Sequence, residues 1–492
     1  MKVSTFVFVA LLPLILSAQD VLAAQTKVSG FDGFAYSLQE NWVVSASSRN
    51  DRKTDKSSNN TPEPSSQDNN KAVQTSSKKE SVRTNSNSQT STGSSPDTPD
   101  HAAQPKVHPK EAPDYIIPDL PHAWSEFDNR FFSTTLGFAP ILDATAFTQD
   151  DDSITQVGKQ DSRWDIRSGR FSFRGQIHTR RPINYFLSLE YKGLDRPDDA
   201  PSFGITDAWF SILLHKKVGT LTFGKIKETF TYEMVGDAAN LPMLERTLNP
   251  FFVSRNVGVK LSNSILNERM TYAVAWYNDW LFHGQSFGES ANTFTGRLTF
   301  LPIYSQGGAN YLHLAAAYRY AGAENNTIRL KGKPESNIAS NYVDTGNLLA
   351  SYQNEIGIEL LANHGPFSVL AEYADSSVYS PTLGVPHFYG AYVTTTWTIT
   401  GEHRPYDRKV GYARRIIPER RWGAWELVAR YSQIDLDDRS VKGGILHKGL
   451  VGLNWWASRQ WRISFAYGLA DLNRKNLSGI TNIFQTRFQW IF

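Results

Sequence analysis

Hydrophobic and polar residues alternate with a period of two at the C-terminal end of the chain. In "TNIFQTRFQWIF" one register holds Phe484, Thr486, Phe488, Trp490 and Phe492, and the other holds Gln485, Arg487, Gln489 and Ile491. Successive side chains of an extended strand point to opposite faces, so the segment predicts a strand with one aromatic face and one mostly polar face. The pattern recurs from about Phe131 onward, in "FSFRGQIHT" from Phe171, "INYFLSLEY" from Ile183, "MTYAVAWYN" from Met270 and "WELVARYSQ" from Trp425. No long stretch has helical periodicity. A soluble sandwich needs far fewer strands and buries an aliphatic face, whereas these apolar registers are Phe, Trp, Tyr, Leu and Thr. A transmembrane barrel uses the same alternation with the apolar face on lipid and the polar face on a water-filled lumen.

The connections between strands support the barrel. Very short ones are expected at 180–182, 215–217, 363–366 and 457–460, and moderately short ones at 263–269 and 302–309. Between them lie longer ones: 148–162, 194–203, 228–254, 279–291, 321–351, 375–386, 437–446 and 471–480. Tight periplasmic turns alternating with longer external loops are the pattern of outer-membrane barrels. The segment 400–423 is long but falls where a periplasmic turn belongs. Accepting it as a turn gives an all-β, antiparallel transmembrane barrel of about 16 strands, an even number as in bacterial barrels. A strand hidden near 410–417 would upset this count.

Composition removes several other classes. A mean hydropathy of −0.41 excludes a helical protein of many spans. The 21 Tyr, 28 Phe and 13 Trp are many for so polar a chain, and suit aromatic girdles at two membrane interfaces. The absence of cysteine removes disulfides, thiolate metal sites and cysteine nucleophiles. A net charge of +3 does not argue for nucleic acid binding. Lys2 followed by the apolar run 6–16 and small residues predicts a signal peptide over 1–23, with cleavage after Ala24 as the alternative. Residues 24–50 carry some aromatics and have no assigned role. From 51 to 110 there is no aromatic residue, so a disordered linker is expected over 51–120, ahead of a barrel over 121–492. Both barrel ends are expected to face the periplasm, which places the N-terminal segment there too.

Several stretches resemble the phosphate-selective porin O and P family, over about 124–492. The most specific is "TTTWTITGEHRPYDRKVGYARRIIP" from Thr394, which is similar to the family's aromatic strand, "LTGE" and Arg-Pro-Tyr turn. "FGKIKETFTYEMVGDAANLPMLERTL" from Phe223 resembles the family's Gly-Lys-Glu-Pro-Phe run followed by Glu-Arg, with Thr229 in the proline's place. "RNVGVKL", "GRLTFLP" and "GAWELVARYS" also fit. The family often has adjacent arginines on an early strand; here Arg167 and Arg170 are separated in "IRSGR". The terminal Phe492 resembles the signal by which barrel-assembly machinery recognises its clients. The resemblance implies an outer-membrane homotrimer that passes small anions and contacts lipid and lipopolysaccharide.

Placing the apolar register on lipid points Arg174, Lys260, Arg297, Arg319, Arg430, Arg462 and Arg487 into the lumen. A guanidinium on the lipid face near the midplane costs roughly 2–4 kcal/mol, which supports this assignment. Arginine and lysine rings are the expected device of an anion pore, and with Arg167, Arg170 and Lys227 these residues are the anion-path candidates. Inward acids, Glu190, Glu355, Glu359, Glu372 and Glu426, leave a second reading open: Arg and Glu pair across strands and stiffen the wall. The loop 228–254 holds apolar residues that water disfavours, so it is expected to fold back as a constriction carrying Glu245 and Arg246; an external lid or trimer contact is the alternative.

Other signals are weaker. "GQSFG" at 284–288 matches a nucleophile elbow, but in a loop between strands instead of a strand–turn–helix. "QDDDS" at 149–153 could bind calcium, though a solvated loop accounts for it. No enzyme, metal or cofactor is expected. The alternative to a porin is a structural barrel that tethers the outer membrane to cell wall or a periplasmic partner through 25–110.

Overall fold

The lipid-facing register is directly visible in the last strand. In the computed structural model Phe484 and Phe488 are 50% and 39% exposed, whereas Arg487 and Gln489 between them are each 1% exposed. The structure describes residues 125–192, 203–278 and 291–492. The expected signal peptide, the segment 24–50, the whole of the linker 51–120, and "GQSFG" lie outside the described residues, as does any tether built on 25–110.

Among the described residues sixteen long strands follow one another, each hydrogen-bonded to the next and antiparallel to it. They are β1 Phe132–Gln149, β2 Arg163–Ile177, β3 Ile183–Tyr191, β4 Phe203–His215, β5 Gly219–Lys227, β6 Arg255–Ile265, β7 Met270–Tyr277 and β8 Thr293–Ser305. The second half comprises β9 Asn310–Gly322, β10 Tyr352–His364, β11 Phe367–Tyr379, β12 His387–Thr398, β13 Ala424–Asp438, β14 Val441–Trp456, β15 Trp461–Arg474 and β16 Leu477–Trp490. The sheet closes where β1 pairs with β16, from Ile141↔Gln489 to Gln149↔Thr481. Closure leaves no open sheet edge with its row of bare backbone groups in lipid. Below the seam, Phe138 and Phe492 exchange backbone hydrogen bonds of 3.1 and 2.9 Å, and a three-residue strand, Glu126–Asp128, extends the pairing along β1. Deleting Phe492 removes both bonds at the seam. It is expected to lower the amount of heat-modifiable barrel in outer-membrane fractions; normal amounts would refute this.

Two aromatic girdles bound the lipid band. At the short-turn end Trp461 stacks on Trp490 at 5.2 Å, Trp425 on Trp455 at 5.7 Å and Phe367 on Trp397 at 5.8 Å. At the loop end Tyr352 stacks on Tyr379 at 4.2 Å and Tyr373 on Tyr389 at 6.2 Å. Such amphipathic rings suit the headgroup level.

Three expectations are corrected. The sequence pattern predicts longer loops at 437–446 and 471–480, but β13–β14 and β15–β16 are joined by two-residue turns, at 439–440 and 475–476. Lys475 and Asn476 have φ of 56° and 60°, the left-handed pair that a tight hairpin needs. The connection at 375–386 likewise shortens to 380–386. In each case the outward register turns polar, as at Asp375, Asp437 and Asp471, because the strand has left the lipid, while inward residues such as Val378, Val441 and Leu472 stay buried and the hydrogen bonding continues. The suspected strand near 410–417 is a small hairpin, Tyr406–Asp407 with Tyr412–Ala413, separate from the barrel sheet, so the count of sixteen holds. "QDDDS" opens a seven-residue helix, Asp151–Val157, in which Asp150 accepts from Ser153 N at 2.7 Å and from Ile480 N at 2.8 Å. That carboxylate serves as a cap.

Candidate functional site

The interior of the barrel is largely filled by chain. The loop 228–254 folds inward, burying Phe230, Met234, Leu241, Met243, Leu248 and Phe251 almost completely. An irregular segment in this position must find partners for its backbone, since it has no ladder of its own. Wall arginines supply them. Arg462 donates to Leu241 O and Pro242 O, both at 2.8 Å, and Arg487 donates to Leu244 O. Arg487 also pairs with Asp143 and Glu245, each at 2.6 Å. Arg430 pairs with Glu233 at 2.6 Å, and Arg319 is held between Glu228 at 2.7 Å and Glu355 at 2.6 Å. Five donors in a planar fork let one guanidinium join a wall carboxylate and a loop carbonyl at once.

Two further segments enter the lumen. The tip of 323–351 inserts Glu335, which binds Arg430 at 2.9 Å and Lys448 at 3.0 Å. From the opposite end, 400–423 reaches in: Arg404 pairs with Glu426 and donates to Asn240 O at 2.7 Å, and Ala413 N donates to Tyr232 Oη at 2.9 Å. Arg297 donates to Gly411 O at 2.9 Å and holds Glu359 through bonds of 2.8 and 2.6 Å. Inserted segments from both ends therefore meet inside the wall.

A cavity of about 290 Å³ lies beside the loop 228–254, against the wall of β1–β3 and the ends of β5 and β6. Eight basic side chains border it against four carboxylates, Glu190, Asp237, Glu245 and Glu335. Most of the cations are already in pairs: Arg167 with Glu245 at 2.5 Å, Arg170 with Glu190 at 3.0 Å, Lys227 with Asp237 at 2.5 Å, and Arg255 with Asp207 at 3.0 Å. Arg246 differs. It donates to Glu233 O at 2.5 Å and Gly236 O at 3.2 Å, so carbonyls hold it in place of a carboxylate. Burial first, and then the nearby Arg255 and Arg167 against the opposing Glu245 and Glu233, push its guanidinium down to about 10, which leaves it charged at neutral pH. Burial alone would raise the Glu245 carboxyl, but Arg167 and Arg487 hold it well below the usual range.

The sequence-derived candidates thus separate. Arg167, Arg170, Lys227, Glu245, Arg246 and Arg487 border the cavity. Arg297, Arg319, Arg430 and Arg462 do not; they fasten inserted chain to the wall. Arg174 and Lys260 are half-buried, away from the cavity lining. Alternation missed Lys192, Arg255 and Lys333, which also border the cavity. Nearby, Phe223 is 43% exposed on the lipid side, yet Lys225, two residues on, is 6% exposed. Gly224 between them has φ +126°, and a Cβ there would lie 2.2 Å from Ala208 O. Glycine breaks the two-residue period at this point, so parity alone misplaces the lysines that follow.

The family model for phosphate-selective porin O and P matches residues 142–492. Porin O of Pseudomonas aeruginosa is 26% identical over 245 residues, covering 42% of this chain and 55% of that protein. An uncharacterized protein of Caulobacter vibrioides is 28% identical over 200 residues, covering 38% of this chain and 39% of its own. The chain therefore matches about half or less of the length of these relatives. Among solved structures, the anion-selective porin from Comamonas acidovorans gives a TM-score of 0.47 at 12% identity, covering 73% of this chain and 100% of that one. The outer membrane channel DcaP of Acinetobacter baumannii gives 0.49 at 11%, covering 75% and 100%.

Proposed function

Because this chain belongs to the phosphate-selective porin O and P family of outer-membrane barrels, we propose that it passes small hydrophilic solutes by passive diffusion, with a preference for anions. One observation carries the preference: the open space left beside the inserted loop has eight basic side chains against four acidic ones. A basic constriction lowers the barrier for an anion and raises it for a cation. Guanidinium forks can exchange hydrogen bonds with a moving oxyanion, so binding need not trap the solute. The preference is weak to moderate, because Arg167, Arg170, Lys227 and Arg255 already hold carboxylates that an entering anion must compete with. The same reading has the protein assemble as a homotrimer in contact with lipid and lipopolysaccharide, with its N-terminal segment in the periplasm; the family resemblance supports the first, and an even number of strands, which leaves both barrel ends on one side, supports the second. Purified protein added to a planar bilayer should give stepwise conductance. A bilayer that stays silent with correctly folded protein would overturn the channel reading.

A further inference from the structure

The cavity is not uniformly polar. Ala139 and Ile141 on β1 and Ile491 beyond β16 border it on one side, with Ala238 and Ala239 of the loop and Phe252 near its end. The register sets this strip directly beside the cations: Ala139 lies opposite Arg170, and Ile141 lies opposite Ser168 in the same ladder. Sites that take organic molecules combine an apolar lining with a few placed polar groups, and this cavity sits near the lower end of their size range, about 300–1,000 Å³. We infer that the cavity favours organic carboxylates, a single anionic head on an apolar body, over inorganic oxyanions. This rests on the anion-channel reading above.

The donor supply points the same way. A phosphate is best bound by several strong donors at once. Here Glu245 and Glu190 already occupy Arg167 and Arg170. Arg246, bound only through carbonyls, can receive one carboxylate without displacing another. The apolar body of the solute then rests on the Ile141 side and gains from leaving water.

The test uses the full protein in planar bilayers. Sodium benzoate or inorganic phosphate is added in a mildly acidic buffer in which phosphate is mainly the monoanion, and block of the chloride current is read. Benzoate is expected to reach half-block at a concentration several-fold below that of phosphate. Ile141→Thr on the wall and Phe252→Ser on the loop should each raise benzoate's half-blocking concentration several-fold and leave that of phosphate unchanged; using both guards against misfolding of one. Equal or stronger block by phosphate, or benzoate block that neither substitution shifts, would overturn the inference. A reversal potential on the same membranes separates the two levels. Preference for chloride together with stronger block by phosphate removes this inference alone, whereas preference for the cation removes the anion reading and this inference with it.

Discussion

Releasing the inserted loop is expected to raise single-channel conductance several-fold. The double variant Arg430→Gln, Arg487→Gln should do so, because both guanidinium groups tie 228–254 to the wall. Without Arg430, Glu233 keeps only the Thr247 amide, which it accepts at 2.9 Å. Without Arg487, Asp143 loses its partner and the Leu244 carbonyl its donor. Breaking one side of a buried pair costs about 3–5 kcal/mol, since the charge left behind is neither paired nor hydrated. Two such losses exceed the shift of about 5.5 kcal/mol that turns a two-state equilibrium from 99:1 to 1:99. The loop is expected to yield before the barrel, because none of the sixteen-strand pairings includes it. Larger conductance steps with weaker ion selectivity should follow. Unchanged steps from a heat-modifiable, inserted double variant would show that the loop is held by its apolar packing alone.

Reversing one charge should change selectivity more than any other single substitution. Arg246→Glu is expected to lower the anion-to-cation permeability ratio about tenfold, with Arg246→Gln in between. A unit charge 4 Å away contributes about 4 kcal/mol at an effective dielectric of about 20. Water in the cavity and salt, with a screening length of about 10 Å at 0.1 M, reduce that. One third of it, about 1.4 kcal/mol, is still a factor of ten. Arg246 is the sensitive position because its own hydrogen bonds go to carbonyls, so its removal breaks no ion pair, whereas removing Arg170 takes away one of the partners of Glu190. The conductance should change little. A large rise would mean that the loop had been released, and a ratio unmoved by both substitutions would place the ion path elsewhere.

The wall of this protein was legible in its residues; the filling of the lumen was only partly so. A strand such as β16 must present Phe484 and Phe488 to lipid and Arg487 to the interior, and a period of two records that demand directly. The seam, the girdles and the number of strands follow from the same alternation. The loop 228–254 was also marked, because Phe230, Leu248 and Phe251 are costly in water. What alternation cannot encode is the partner of an inward charge. Arg319 and Arg170 look alike along the chain, yet one clamps Glu228 and Glu355 in the filled part of the lumen, and the other borders the open space. Their difference depends on where irregular chain returns in three dimensions, more than ninety residues away for Arg319 and Glu228. The same applies to Lys333 and Glu335, carried to the cavity by a loop whose tip has no period to read. Gly224 shows a third cause, a local break in the period itself.

The central claim is a passive channel whose narrow part prefers anions, and a reversal potential measures it most directly. The purified protein is placed in a planar bilayer with potassium chloride at unequal concentrations on the two sides, and the voltage of zero current is read. The basic excess around the cavity predicts a potential displaced toward the chloride equilibrium value. A potential displaced toward the potassium value would contradict the account, because the eight cations bordering the cavity would then not control the ions that pass.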